Sequence, residues 1–306
     1  MKQHQLFLYA LDPTHMATGS HRLGQKADDT VVRDTSTGLP IIPGHSIQAA
    51  TRSAAVHSLI DLEERNKAMS YARRHIIKKS TKPGGYKPGE DPLAKYFGQT
   101  RSYRKGLTQM GMIYFRDAEI IAFPVPTWFG PRWVTTASLL HKAGCDKVPE
   151  TPEMTDILVQ SQSISGSRVA PQINLGWLLL NTKEAEIPWP GELTAELKPH
   201  LVLVHEELFT PLVNSHLETR TSTAIDFETG MMSEGKETLL TYEATPRGTV
   251  YLGLVEFDNE RSPELYPPAF DLVNRSLKFA GQLGLGAMNQ TGFGRMQPTL
   301  VEKSHD

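Results

Sequence analysis

The chain has a single cysteine, Cys145, among 306 residues, which excludes an internal disulfide and a thiolate-built zinc cluster. This usage fits a reducing compartment and a buried, idle thiol. No apolar run reaches the length of a membrane span, and the best candidate, IIAFPVPTWF, is short and broken by prolines. The opening MKQHQLFLYALDPTH holds only the run from Leu6 to Leu11 before Asp12-Pro13 interrupts it, so it reads as neither leader nor anchor. A cytoplasmic protein with no membrane contact is expected. Several reaction classes lose their motifs as well. The histidines form no HExxH pair, no GxSxG elbow is present, and no Gly-Lys-Ser/Thr follows any glycine-rich stretch. Zinc hydrolase, serine hydrolase and P-loop readings therefore have no support. No repeat of fixed period and no low-complexity tract occurs.

What remains is a folded chain. Apolar residues make up 39% and charged residues 22%, values that exclude a disordered polyelectrolyte. The 24 glycines and 21 prolines demand many turns between regular elements, which points to α+β architecture and not to a helical bundle. The formal net charge of -2 conceals an asymmetry. Arg65 to Lys105 contains twelve Lys/Arg against Glu90 and Asp91, a balance of +10 that leaves -12 for the rest of the chain. Interleaved Tyr71, Tyr86, Tyr96, Phe97 and Tyr103 suit a polyanion with unpaired bases, because cations displace phosphate counterions and rings stack on bases. A solvated lysine-rich surface is the alternative.

Gln5 to Leu11, with its apolar residues bounded by the breaker pair Asp12-Pro13, predicts a first strand. The loop from Thr14 to Thr37 that follows is long for a compact domain and dense in His15, His21, Arg22, Lys26, Asp28, Asp29, Arg33 and Asp34. In extended chain Asp28 and Asp29 point to opposite sides, so only one can face a shared site. Next, GLPIIPGHSIQAATRSAAVHSLIDLEER predicts a helix capped by His45 or Ser46, with Ile47, Ala50, Ala54, Leu59 and Leu62 as its buried face. Strands are expected in MGMIYFRDAEIIAFPV, NLGWLLLN, HLVLV and GTVYLGLVEF. A turn leading into a helix is expected at TWFGPRWVTTASLLHKAG, a hairpin over Leu217 to Tyr242, and a helix over Pro268 to Phe279. The glycines at 281, 284, 286, 292 and 294 let backbone approach a phosphate or, equally, form a tight turn packed on a sheet.

Five stretches in order resemble the RAMP superfamily, and most closely the repeated backbone subunit of type III CRISPR effector complexes of the Cmr module (type III-B). They are ADDTVVRDTSTGLPIIPGHSIQAATR, LAKYFG, FRDAEIIAFPVPTWFG, TAIDFETG leading to TYEATPRGTVY, and LGLGAMNQTGFGRM, and together with the first strand they span residues 5 to 296. The resemblance implies a single RRM-like (ferredoxin-like) domain over residues 1–306, with a basic helical/loop insertion at 61–112 and a β-hairpin thumb within 205–247. It implies a guide-RNA-binding subunit that polymerises with further copies of itself and with other type III subunits, and that cleaves complementary target RNA. Asp28 matches the catalytic aspartate, two residues before a position usually held by Pro and here Thr30. A loosely bound Mg²⁺ or Mn²⁺ at Asp28 is expected, since one carboxylate with waters makes a weak site. RNA contacts are expected from His21, Arg22, Lys26, Arg33, Ser46, Gln48 and Arg52, from Arg73, Arg74, Lys78 and Lys79, from Arg220 in the hairpin, and from Gly292 and Gly294. Gln48 stands where Lys is usual, His45 where a small Ser is usual, and Ala49 where Gly is usual, so the basic insertion would supply the missing phosphate neutralisation. A non-catalytic scaffold subunit and a stand-alone guide-processing endonuclease are the rival implications.

Neutralising Arg73, Arg74, Lys78 and Lys79 together is expected to weaken RNA association uniformly across sequences and to flatten its dependence on salt. A filter-binding titration with an unchanged salt slope would return the segment to the role of a solvated surface.

Overall fold

The computed structural model describes residues 1–17, 30–77, 91–98, 110–160, 170–190, 195–222 and 240–303. Their order in the chain is β1 (Lys2–Ala10), β2 (Ile41–Ile42), α1 (Gly44–Ser58), α2 (Leu62–Ile77), α3 (Ala94–Phe97), β3 (Ile113–Phe115), β4 (Ala118–Val125), β5 (Arg132–Thr135) and α4 (Ala137–Lys142). There follow β6 (Asp156–Gln160), β7 (Gln172–Leu175), β8 (Leu178–Ala185), β9 (Leu201–Leu203), α5 (Glu206–Ser215), β10 (Glu218–Ser222), β11 (Leu240–Ala244), β12 (Val250–Phe257), α6 (Tyr266–Leu283) and β13 (Met296–Glu302). The architecture is α+β, with a large mixed sheet.

The centre of the sheet is the run β13-β1-β12-β4, in which every neighbouring pair is antiparallel. Period-2 alternation on β1 sends Leu6 and Leu8 to one face and Phe7 to the other, and all three are buried, so both faces of the sheet are covered. Leu6 and Leu8 pack with Ile47 and Ala54 of α1 and with Leu272, Val273 and Leu277 of α6. On α6 the buried positions Ala269, Leu272, Val273, Ser276, Leu277 and Ala280 follow 3.6-residue spacing, and the small residues among them admit α1 alongside. Phe7 packs instead with Ile121, Val250 and Leu252 in a smaller cluster on the opposite face. The sheet then continues past β4 through β5, β9, β6, β8 and β7, with parallel pairs at β5/β9 and β6/β8. The β10–β11 hairpin stands apart as its own two-stranded sheet. No described helix is long and apolar enough to cross a membrane.

Three details depart from the sequence reading. The single helix expected through Leu62 is two helices, because the chain is extended at Leu59 (ψ 130°) and the Asp61 carboxylate accepts from the Glu64 amide at 2.8 Å, capping α2. Leu59 is buried whereas Leu62 is 67% exposed. Helix α1 starts at Gly44 with Pro43 as N-cap and no side-chain cap, so neither His45 nor Ser46 holds that position. The Gly44 amide donates instead to Asp117 Oδ1 at 2.7 Å, from the link between β3 and β4. The segment TWFGPRWVTT contains strand β5, hydrogen-bonded between β4 and β9, ahead of the helix that Thr136 caps.

Gly281 shows why α6 and β13 can touch: a Cβ there would collide with the Met296 carbonyl oxygen and press on Pro298 Cδ at 3.0 Å. Gly281→Ala is expected to destabilise the fold by about 1–3 kcal/mol, the usual cost of overpacking, measured as a lowered thermal midpoint.

Candidate functional site

Beyond the end of β1 the β1–β12 ladder continues as paired backbone. Thr14 and Thr245 exchange N–H···O bonds of 2.8 and 2.9 Å, and one residue further His15 Nδ1 lies 2.6 Å from the carbonyl oxygen of Glu243 on β11. The chain then enters residues 18–29 and returns beside its own departure point. Ala17 and Val31 form an antiparallel bridge, and the Val32 amide donates to Met16 O at 2.8 Å. His21, Arg22, Lys26, Asp28 and Asp29 lie outside the described residues. Both flanks of their loop are nonetheless fixed, and both meet Glu243.

Glu243 Oε2 accepts from the Val31 amide at 3.4 Å and from Arg33 Nη2 at 3.0 Å. The other terminal nitrogen of Arg33, Nη1, donates to Asn214 Oδ1 at the end of α5 and to Gly38 O at 3.4 Å. Arg33 thus joins the loop, the hairpin strand and a helix terminus. Asp34 is committed to its own turn: its Oδ1 accepts from the Ser36 and Thr37 amides at 2.8 and 2.9 Å and from both hydroxyls. These hydrogen bonds, led by the Ser36 hydroxyl, lower its pKa to about 2. Oδ1 is thus committed to the turn. Among the described residues no group of three or more His, Cys, Asp or Glu is placed to hold a metal.

A cavity of about 750 Å³ lies between the start of α1 and the glycine-rich segment, lined by His45, Ser46, Ala49, Gly284, Gly286 and Asn289 among others. Ser46 therefore faces open space. Gln48 and Arg52 turn elsewhere: Gln48 Nε2 donates to Phe97 O at 3.2 Å, Arg52 Nη1 donates to Gly98 O at 2.8 Å, and Arg52 forms an ion pair with the buried Asp91. Both side chains clasp the 91–98 segment against α1. Arg73 and Arg74 lie on α2, where only the backbone is described, and Lys78 and Lys79 are outside the described residues.

Arg220 pairs with Glu218 at 2.8 Å and lies 4.9 Å above the ring of Phe293, which itself packs edge-on to Tyr242. The glycine-rich segment is a packed turn. The amides of Ala287 and Gly294 donate to His15 O and Pro13 O at 3.0 and 2.9 Å, and Gly294 (φ 83°) has no room for a Cβ beside the Leu285 carbonyl. Gly292 (φ 88°) faces open space. Asp117, Asn214 and Glu243 were not among the residues expected from sequence. Glu243 lies inside TYEATP, one of the matching stretches, whereas nothing local marks Asn214.

A fold whose β1–β12 pairing brings a polar loop and a hairpin to one place defines a class of protein, and comparison with known sequences names it. The chain belongs to the RAMP superfamily, whose model matches residues 7–297. Over its full length it is 26% identical to the CRISPR system Cmr endoribonuclease Cmr4 of Pyrococcus furiosus, covering 98% of that protein. The crystal structure of oligomeric Cmr4 from Pyrococcus furiosus superposes over all of both chains with a TM-score of 0.58 at 19% identity. A chain of the type III-B Cmr-beta complex bound to cognate target RNA gives 0.62 at 14% identity, covering 98% of this chain and 97% of that one.

Because the folded-state pKa of Asp34 is depressed, its turn contributes stability above the unfolded carboxylate value near 3.8 and loses it as pH falls through about 2. Asp34→Asn is expected to lower the thermal midpoint at pH 6, with the difference from the parent protein vanishing at the acid end. Carboxyl NMR titration of Asp34 is expected to give a midpoint near 2.

Proposed function

We propose that this chain is the guide-RNA-binding backbone subunit of a type III CRISPR ribonucleoprotein, and that it cleaves complementary target RNA with Asp28 as the catalytic carboxylate. The full-length match to a Cmr endoribonuclease carries this reading. The fastening of both flanks of the Asp28 loop to one hairpin residue supports it, because cleavage needs a carboxylate held against whatever displaces a target base. The strand order β13-β1-β12-β4, with α1 and α6 packed together, supports an RRM-like core. In this reading the β10–β11 hairpin is the thumb. The partners are guide RNA, target RNA, further copies of the chain and other type III subunits, and the compartment is the cytoplasm.

In the cleavage step the thumb unstacks a target base, bringing the adjacent 2′-oxygen, the phosphorus and the 5′-leaving oxygen toward alignment. Asp28 orients the 2′-hydroxyl. The 2′-oxygen bonds to phosphorus as its proton passes to water, the P–O5′ bond breaks, and the leaving oxygen takes a proton from water. The products are a 2′,3′-cyclic phosphate and a free 5′-hydroxyl. A Mg²⁺ or Mn²⁺ held by the single carboxylate of Asp28 and by waters would be loosely bound. Such an ion would stabilise charge developing on the phosphate oxygens. With a carboxylate as the assigned group, positioning must supply most of the acceleration, and slow turnover is expected.

In the assembled complex Asp28→Ala is expected to abolish cutting while leaving assembly intact, and Asp29→Ala to cut at close to the normal rate. A 2′-deoxy substitution at the scissile nucleotide should block that cut alone, and chelator should stop cleavage reversibly. Equal loss in both aspartate variants would overturn the assignment of Asp28, and protection of target without cutting by the unmodified complex would make the chain a scaffold.

A further inference from the structure

We propose that Arg33 and Glu243 form a positioning clamp that sets the Asp28 loop against the β10–β11 hairpin, and that Arg33 serves this coupling instead of contacting RNA. The inference rests on the functional reading above. Its basis is the convergence of both flanks of the loop on one carboxylate-bearing residue, Glu243. Upstream of the loop, His15 meets the Glu243 backbone carbonyl at 2.6 Å. Downstream, the Val31 amide and the Arg33 guanidinium meet the Glu243 carboxylate at 3.4 and 3.0 Å. The guanidinium fork spends its other terminal nitrogen on Asn214 and on Gly38 O, and Asn214 Nδ2 reaches the same Gly38 oxygen at 3.3 Å.

The chemistry selects arginine. A planar fork can satisfy acceptors on a strand, a helix end and a turn at once, whereas an ammonium is a point charge that cannot hold that geometry. The pair is also half-buried, with side-chain exposures of 30% and 29%, so it is less screened than a surface pair and defines an orientation. Its leverage on the reaction follows from connectivity: Asp28 precedes Val31 by three residues in the chain, and the Val31 amide meets Glu243. A shift of the hairpin therefore moves the anchor of the Asp28 loop directly, and a misplacement of about 1 Å can cost a factor of a hundred in rate.

Single-turnover cleavage and target affinity, measured on the assembled complex, test this. Glu243→Gln keeps the shape and removes the charge; Arg33→Lys keeps the charge and removes the fork. Each is expected to slow cutting about tenfold or more with target affinity unchanged, and the double variant to be no slower than the worse single, because both break one unit. Additive losses, a wild-type rate in Glu243→Gln, or a fall in RNA affinity matching the fall in rate would overturn the clamp; the last would make Arg33 an RNA ligand. Should either variant fail to assemble, Asn214→Ala at the exposed end of α5 is expected to slow cutting about threefold, the size of one lost hydrogen bond, with binding intact. A wild-type rate there overturns the proposal equally. Asp28→Ala run alongside separates the two readings. If it cuts normally, the functional reading falls; if it is inactive while Glu243→Gln is normal, the clamp alone falls.

Discussion

The pairing of β1 with β12 is the constraint from which the rest of the molecule follows. It joins residues 2–9 to residues 250–257 in antiparallel register, Leu6 opposite Gly253 and Leu8 opposite Tyr251. Closing so long a stretch of chain costs entropy that grows only logarithmically with length, so the cost is met once and every later contact is made within a closed frame. β13 adds to one edge of the pair and β4 to the other, and α1 and α6 cover the resulting face. The site is a by-product of the same ladder. After Ala10 and Thr249 the two strands meet again at Thr14 and Thr245, and just beyond them His15 reaches the backbone carbonyl of Glu243.

Charge in this protein divides into two uses. Several arginines are committed to carboxylates within the fold: Arg33 to Glu243, Arg52 to Asp91, Arg116 to Glu256 and Arg295 to Asp12. Arg52 shows how far this goes, because its partner Asp91 is buried and the pair holds the 91–98 segment on α1. That segment is therefore anchored by Gln48 and Arg52, residues that were expected to meet RNA. A count of positive charge along the sequence weighs both uses alike, since it cannot say which cations already have a partner.

How much of this was legible in the sequence depended on the range of the interactions involved. β1, β12 and α6 carry their own period-2 or period-3.6 patterns and emerge where expected, α6 running from Tyr266 to Leu283; the described arms of the hairpin, Glu218–Ser222 and Leu240–Ala244, pair as expected, and its turn lies outside the described residues. The break at Leu59–Asp61 was missed because the apolar spacing runs on through Leu62, and only the capping preference of Asp61 distinguishes two helices from one. Strand β5 was missed because four residues are too short for a pattern and its stability comes from β4 and β9 on either side. At the site, the loop and its acidic residues stood out by density, but the link from Arg33 to Asn214 and Glu243 joins positions some two hundred residues apart and leaves no local trace.

The bridge between Ala17 and Val31 closes a doorway. Because residues 18–29 depart and return through one doorway, the framework registers only that the two sides of the doorway meet, and not the length or content of what lies between them. The scaffold's stability and the chemistry assigned to Asp28 therefore answer to different parts of the chain: Met16, Val32 and the strands behind them hold the doorway closed whatever passes through it, and a change confined to the segment would be felt in the reaction before it is felt in the fold.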